Sequence, residues 1–428
     1  MMANIGGGTL ELSSQAKARM AELLSQILMQ ATCDETGVID YDSYERLEQL
    51  ERVPSKQVQT ALGAVIGQLP VSNFVFDELF RRLAPASLGG RGQRPVAEII
   101  QDVGALSANV IDALNSFPRR YVLTVEMPRA LVDLLTVGES SIVVGDGIRL
   151  VKGSEFSSAH TPLQPAGCLG ALFDVPGAGE EAIFLQIEFD GFVGQFGHTE
   201  TLADIFEDLQ AFIGALIGFG VVAIPPLRAN RRPLARKYAV HQTVSEQWEL
   251  IQTGPIDPSL SELIDRVFLS GKYAFARHNQ SIEAAEVTFQ HIGRMLRKRE
   301  GKRLHGNMVL GSKWLLDSYL GQDPILRYVQ ATVAIETLLG EKTESDTIGL
   351  GALLGNRCAY LIARCADERR ELLVSFKEIY KVRCEIVHQG RSRLTVEEGV
   401  RFHKLHKICG RVLVHEVLLL SGAQKDGR

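Results

Sequence analysis

The apolar pattern of this chain changes period twice, and that change constrains its fold more than any single residue does. Up to Phe117-Pro118 apolar positions recur at helical spacing: Met20, Leu23, Leu24, Ile27 and Leu28 form one stripe behind Ser13 or Ser14 as a cap. Over 121–125, 141–144 and 182–189 the runs turn short, β-branched or aromatic, and are bounded by Gly, Pro or Asp, as strands are. From about Val244 onward almost everything reads as helix again. The pattern predicts a multidomain α protein with a mixed α/β middle: a helical region over 1–116, the mixed region over 117–240, and a helical domain over 241–428.

Local signals place the elements. Ser55 and Ser72 open further N-terminal helices, a loop rich in Gly, Pro, Ser and Arg spans 84–95, and a helix follows near 96–114. An Arg-rich linker is expected over 227–237. In the last region helices are expected over 262–277, 282–299, 313–320, 325–339, 348–365, 368–388 and 396–420, the last opened by Thr395 and Glu398 as a capping box. The uncharged stretch 211–224 has only 14 residues, short of the ~20 that cross a bilayer, and is expected to be a buried helix end leading into a core strand. With 45% hydrophobic and 23% charged residues and no leader-like N-terminus, a cytoplasmic protein without membrane contact is expected.

Charge is divided along the chain. From His291 onward there are 24 Lys+Arg against 16 Asp+Glu, while residues 1–290 carry 22 against 35. A basic C-terminal third favours nucleic-acid backbones through counterion release, and the acidic remainder could cover it. The six cysteines, Cys168 among them, form no C-x-x-C or zinc-type cluster and suit small apolar roles. His403 and His406 share a helix face, but Lys404 and Lys407 beside them oppose a cation, so neither metal nor cofactor is expected. Gly145-Asp146-Gly147 completes no nucleotide-binding fingerprint.

Arg383 and His388 join a permanent planar charge to a side chain that exchanges protons near neutrality, a combination suited to phosphate chemistry and above all to RNA. An Arg followed by a His after five or six positions also occurs at Arg236/His241, Arg299/His305 and Arg401/His406. On a straight helix Arg383 and His388 point about 140° apart, so they converge only if the helix ends there, and Gly390 is the expected stop. Glu336, alone among apolar residues, needs a partner such as Arg383 or Arg357. Tyr380 stands one turn before Arg383. Lys381, Arg391 and Arg393 are candidate contacts to an RNA backbone.

Four segments taken together, 312–318, 334–339, 353–361 with Arg357, and 379–383 running into 386–390, resemble the HEPN superfamily, and within it the Apea-like domains. The resemblance covers roughly 300–420. It implies an all-α HEPN-like bundle that forms a homodimer, with Arg383 and His388 of both copies lining one cleft. It also implies metal-independent endoribonuclease chemistry leaving 2′,3′-cyclic phosphate ends, with His388 as general acid or base and Arg383 on the phosphate. Glu336, Tyr380 and Cys384 would support that site, Cys384 standing where such domains usually carry a polar residue. The implied role is a regulated toxin or effector of bacterial phage defence by abortive infection, with a trigger or regulatory partner at the N-terminal regions. The alternative is a non-catalytic module holding RNA, a nucleotide or a protein partner.

Overall fold

The computed structural model describes residues 12–87, 92–135, 140–160, 182–194, 199–225, 236–244, 247–274, 278–299, 302–340 and 350–423. The Arg-rich linker expected over 227–237 lies almost wholly outside them, as does Cys168.

The N-terminal helices begin where side-chain caps allow. Ser13 accepts from the Ala16 amide ahead of Ser14–Leu28, and Ser55 from the Val58 amide ahead of Lys56–Ile66. Met20, Leu24, Ile27 and Leu28 bury their stripe against Val103–Asp112 and the short helix Tyr41–Leu47. The long helix Pro70–Ser87 starts two residues before the expected Ser72 and runs into the expected loop; Ser72 is buried inside it, donating to Glu51 at 3.0 Å.

The middle region holds a six-stranded antiparallel sheet: β1 Arg119–Glu126, β2 Ser141–Gly145, β3 Ile148–Lys152, β4 Ile183–Gly191, β5 Lys237–Val244 and β6 Gln247–Pro255, in the order β2-β3-β4-β1-β5-β6. Three of these strands stand where expected. Strand β6 corrects the sequence reading, which had helix from about Val244. It is an edge strand whose interior residues are all half-buried, so it carries no apolar alternation to betray it. The helix expected over 262–277 is likewise shorter: Pro258–Arg266 capped by Asp257, followed by a two-residue strand at Phe268–Leu269.

Alternation assigns the faces of the sheet. Tyr121, Leu123 and Val125 of β1, Leu185 and Ile187 of β4, and Val240 of β5 pack against helices Glu200–Gly218 and His278–Met295. Five further helices follow among the described residues: Gly306–Asp317, Pro324–Leu339, Leu350–Ile362, Ala366–Gln389 and Val396–Ala423. Thr395 and Glu398 make the expected reciprocal cap, each side chain accepting from the other's amide at 3.3 and 2.7 Å.

The middle and last regions share one core. Buried side chains run without a break from Tyr121 and Leu185 to Phe376 and Val412, each worth ~1.5–3 kcal/mol relative to exposure. Two glycines permit the closest approaches: Gly214 against the Ser312 carbonyl and Gly293 against that of Val144. The stretch 211–224 is a helix end and a short core strand, as expected. Among the described residues no helix is long and apolar enough to cross a membrane.

Candidate functional site

The Ala366–Gln389 helix opens with Asp367 and Glu368, whose charge suits a helix N-terminus, and buries Leu372, Phe376, Ile379, Val382 and Ile386 along one face. It stops at Gly390, whose φ of 67° and ψ of 34° lie in the left-handed region that glycine adopts without a Cβ penalty. His388 therefore sits in the last turn, exposed.

Arg383 and Tyr380, three residues apart, lie on a common face. The guanidinium carbon is 5.6 Å from the Tyr380 ring centroid, and Nε is 3.4 Å from Glu336 Oε1. The Tyr380 hydroxyl donates to that same oxygen at 3.1 Å. Burial, followed by the Glu336 charge, pushes the Tyr380 hydroxyl up to about 12, so it stays protonated and keeps donating. Gly351 seats the neighbouring helix on the Tyr380 ring: a Cβ there would fall 2.5 Å from Cδ1. Of the two arginines expected to partner Glu336, Arg383 does so. Arg357 instead donates to the Leu339 carbonyl at 2.7 Å, satisfying the end of the Pro324–Leu339 helix.

Because the helix runs unbroken through Gln389, Arg383 and His388 remain about 140° apart on it and do not converge within one chain. Cys384, half-buried, stands one turn before His388, away from the Arg383 face. Lys381 is exposed, 3.9 Å from Glu385. Arg391 bridges the carboxylates of Glu385 and Glu398, so its charge is occupied in holding the turn after Gly390. Arg393 is exposed.

Tertiary structure separates the four Arg/His pairs. His241 is buried in β5 while Arg236 pairs with Glu126 at 3.0 Å and with Asp265 at 2.5 Å. His406 is buried and hydrogen-bonded to Ser318, and Arg401 binds Glu378 at 3.1 Å. His305 precedes the Gly306–Asp317 helix, half-buried. Of these histidines, His388 alone is exposed. Part of the basic excess is also covered by the acidic part of the chain. From the Glu200–Gly218 helix, Glu207 reaches Arg303 at 2.7 Å and Lys313 at 3.4 Å, and Asp208 pairs with Lys298 and with Arg303.

Sequence spacing gave no sign of a second polar group, on the sheet face away from those helices. His160 and His241 meet edge to face at 5.0 Å, with Phe156 and Trp248 stacked on His160 at 5.3 and 5.7 Å. Gln186 Nε2 lies 3.3 Å from both His160 Nε2 and Thr124 Oγ1. Burial holds the two histidines down to about 4 and about 3, so both are neutral near pH 7. The only available sequence cue was β-strand alternation, which places His241 and Thr124 on one face.

Among the described residues no three His, Cys, Asp or Glu side chains are grouped to hold a metal ion. No family profile, curated protein or solved structure matches the chain.

Proposed function

We propose that the C-terminal helices form a HEPN-type, metal-independent RNA endonuclease, and that two copies of the chain build its working site. The observation that carries this reading is the division of labour on one helix. Arg383 is oriented by Glu336 and Tyr380, while His388 is exposed at the glycine stop. A pre-set guanidinium can join a phosphate without losing much freedom, and an exposed imidazole can reach a proton.

The two groups face apart in one chain, so a single phosphate meets both only where one copy supplies the arginine and another the histidine. Apolar side chains around the helix end suit such pairing: Val387, Val396 and Val400 are 47%, 88% and 67% exposed. In the reaction the ribose 2′-hydroxyl loses its proton to an imidazole, its oxygen attacks the adjacent phosphorus, and the P–O5′ bond breaks as the leaving oxygen takes up a proton. Arg383 offsets the charge that builds on the non-bridging oxygens. The products are a 2′,3′-cyclic phosphate and a 5′-hydroxyl.

A regulated toxin or effector of phage defence in the cytoplasm fits the same reading. The salt bridges from Glu207 and Asp208 to Lys298, Arg303 and Lys313 support control by the acidic part of the chain. The test is cleavage of RNA in EDTA with end-group analysis, DNA serving as the substrate without the attacking hydroxyl. Wild type should cut RNA alone; equal cutting by His388→Ala would sink the assignment.

One observation favours the alternative, a module that holds RNA, a nucleotide or a protein partner without cutting. Glu336 already offsets the Arg383 charge, and Cys384 supplies no strong polar group beside His388. Salt-sensitive binding without cyclic phosphate would select it.

A further inference from the structure

A second site lies near the opposite end of the Ala366–Gln389 helix, about 26 Å along its axis from Arg383. There a cavity of about 610 Å³ opens between the ends of helices Glu200–Gly218 and Leu350–Ile362 and the middle of Val396–Ala423. Its volume is that of a small-molecule pocket. We propose that this cavity binds a small amphipathic anion, with an apolar body against its floor and a carboxylate or phosphate head at its rim.

The floor is apolar: Ile217, Leu315, Leu361 and Val414 line it together with the Tyr319 ring. Behind Tyr319 the His406 ring stacks at 4.1 Å and is anchored by Ser318 at 2.9 Å. Burial, with Arg327 nearby, drives His406 down to about 3, so the ring that backs Tyr319 adds no charge to the floor. Gly218 and Gly410 shape the adjoining wall. A Cβ on Gly410 would lie 2.9 Å from the Gly218 carbonyl oxygen, so these helices touch by backbone there.

The rim is cationic. Lys407 and Arg411 stand one turn apart on the last helix, and Arg364 faces them from the end of Leu350–Ile362. His403 and His415 extend the same stripe, and no carboxylate lines the cavity. Glu368 lies close by, pairing with Arg411 at 2.8 Å and accepting from the Arg364 amide at 2.8 Å, and Glu416 lies near His415. The three permanent cations of the rim thus outnumber the carboxylates beside it. An apolar floor under an excess of positive charge selects against neutral lipids and against bare inorganic anions, because each satisfies only half of the site.

This inference is independent of the RNA reading, since none of its residues belongs to the Arg383–His388 site. The test uses the full-length protein and the fluorescent anion 1-anilinonaphthalene-8-sulfonate as probe, with naphthyl phosphate, decanoate, decanol and inorganic phosphate as competitors. One saturable site is expected, displaced by naphthyl phosphate, by decanoate, or by both, which identifies the preferred head group. Decanol and inorganic phosphate should not displace the probe at the same concentrations. Lys407→Glu, an exposed position, should weaken probe binding about tenfold, and Arg364→Glu should do likewise. Near-UV circular dichroism confirms that each variant is folded. Unchanged binding in both folded variants, displacement by decanol as readily as by decanoate, or displacement by a short oligonucleotide but by neither small anion would each overturn the proposal.

Discussion

Gly214 lies so close to Ser312 that a Cβ on the glycine would fall 2.0 Å from the serine carbonyl oxygen. Backbone meets backbone there, so neither side can yield by rotating a side chain. Gly214→Ala should therefore force the Glu200–Gly218 and Gly306–Asp317 helices apart, at a cost of about 3 kcal/mol. Urea unfolding of the variant measures this, and a change below half that value would show that the contact can relax.

The same contact bears on truncation. The Glu200–Gly218 helix buries Phe212, Ala215 and Leu216 in the core that also holds Leu315, Leu316 and Leu413. A fragment of residues 241–428 loses this helix, four whole strands of the sheet and half of β5, exposing apolar surface that water penalises. We expect it to show no cooperative thermal transition by circular dichroism. A sharp transition in the fragment would mean that the C-terminal helices form a core without the middle region.

Glu336 is the group that orients Arg383 and accepts from Tyr380. Glu336→Ala should cost about 1 kcal/mol of stability, a small value because the ion pair is partly solvated. Its effect on RNA cleavage should be larger, about tenfold or more, since the guanidinium loses its fixed direction. Glu336→Gln keeps an acceptor for Tyr380 and should recover most of the stability. Equal loss of stability in both variants would show that the Tyr380 hydrogen bond contributes little.

A site made from two copies permits complementation. Arg383→Ala and His388→Ala should each abolish cleavage, and an equimolar mixture after subunit exchange should regain about a quarter of wild-type activity: half the dimers are mixed, and each has one intact site of two. Persistent inactivity of a mixture shown to contain mixed dimers would exclude a site shared in this way.

Two buried histidines set an acid limit on stability. In the fold His241 and His406 are held down to about 3 by burial, against an ordinary value of about 6.5 when unfolded. The folded values lie below the unfolded one, so as pH falls below about 6.5 the unfolded chain takes up protons that the fold refuses. Stability is complete above that pH and is lost on the way toward 3, by about 2 kcal/mol per histidine at pH 5. His406→Gln should flatten the dependence between pH 6.5 and 5 by about 1.1 kcal/mol per pH unit, whatever its effect at neutral pH. Denaturant titrations at several pH values make the comparison.

Ser13, Ser55, the Thr395–Glu398 box and the Gly390 stop were legible in the sequence because a cap or a left-handed turn involves residues within a few positions of one another. Strands β1, β2 and β4 were legible for a related reason, since short β-branched or aromatic runs bounded by Gly, Pro or Asp are themselves local signals. Strand β6 was hidden because its interior residues are all half-buried and its sequence mixes polar and apolar residues without forming such a run. The site divides along the same line. The candidates Arg383 and His388 and the helix stop came from sequence, whereas the choice of Glu336 for Arg383, the capture of Arg391 by Glu385 and Glu398, the burial of His241 and His406, and the cationic cavity by Tyr319 came only from the fold. Apart from Arg391, which is six and seven positions from its two partners, those relationships join residues tens to about two hundred positions apart. Their partners are selected by how helices and sheet pack around a shared core, which no local pattern encodes.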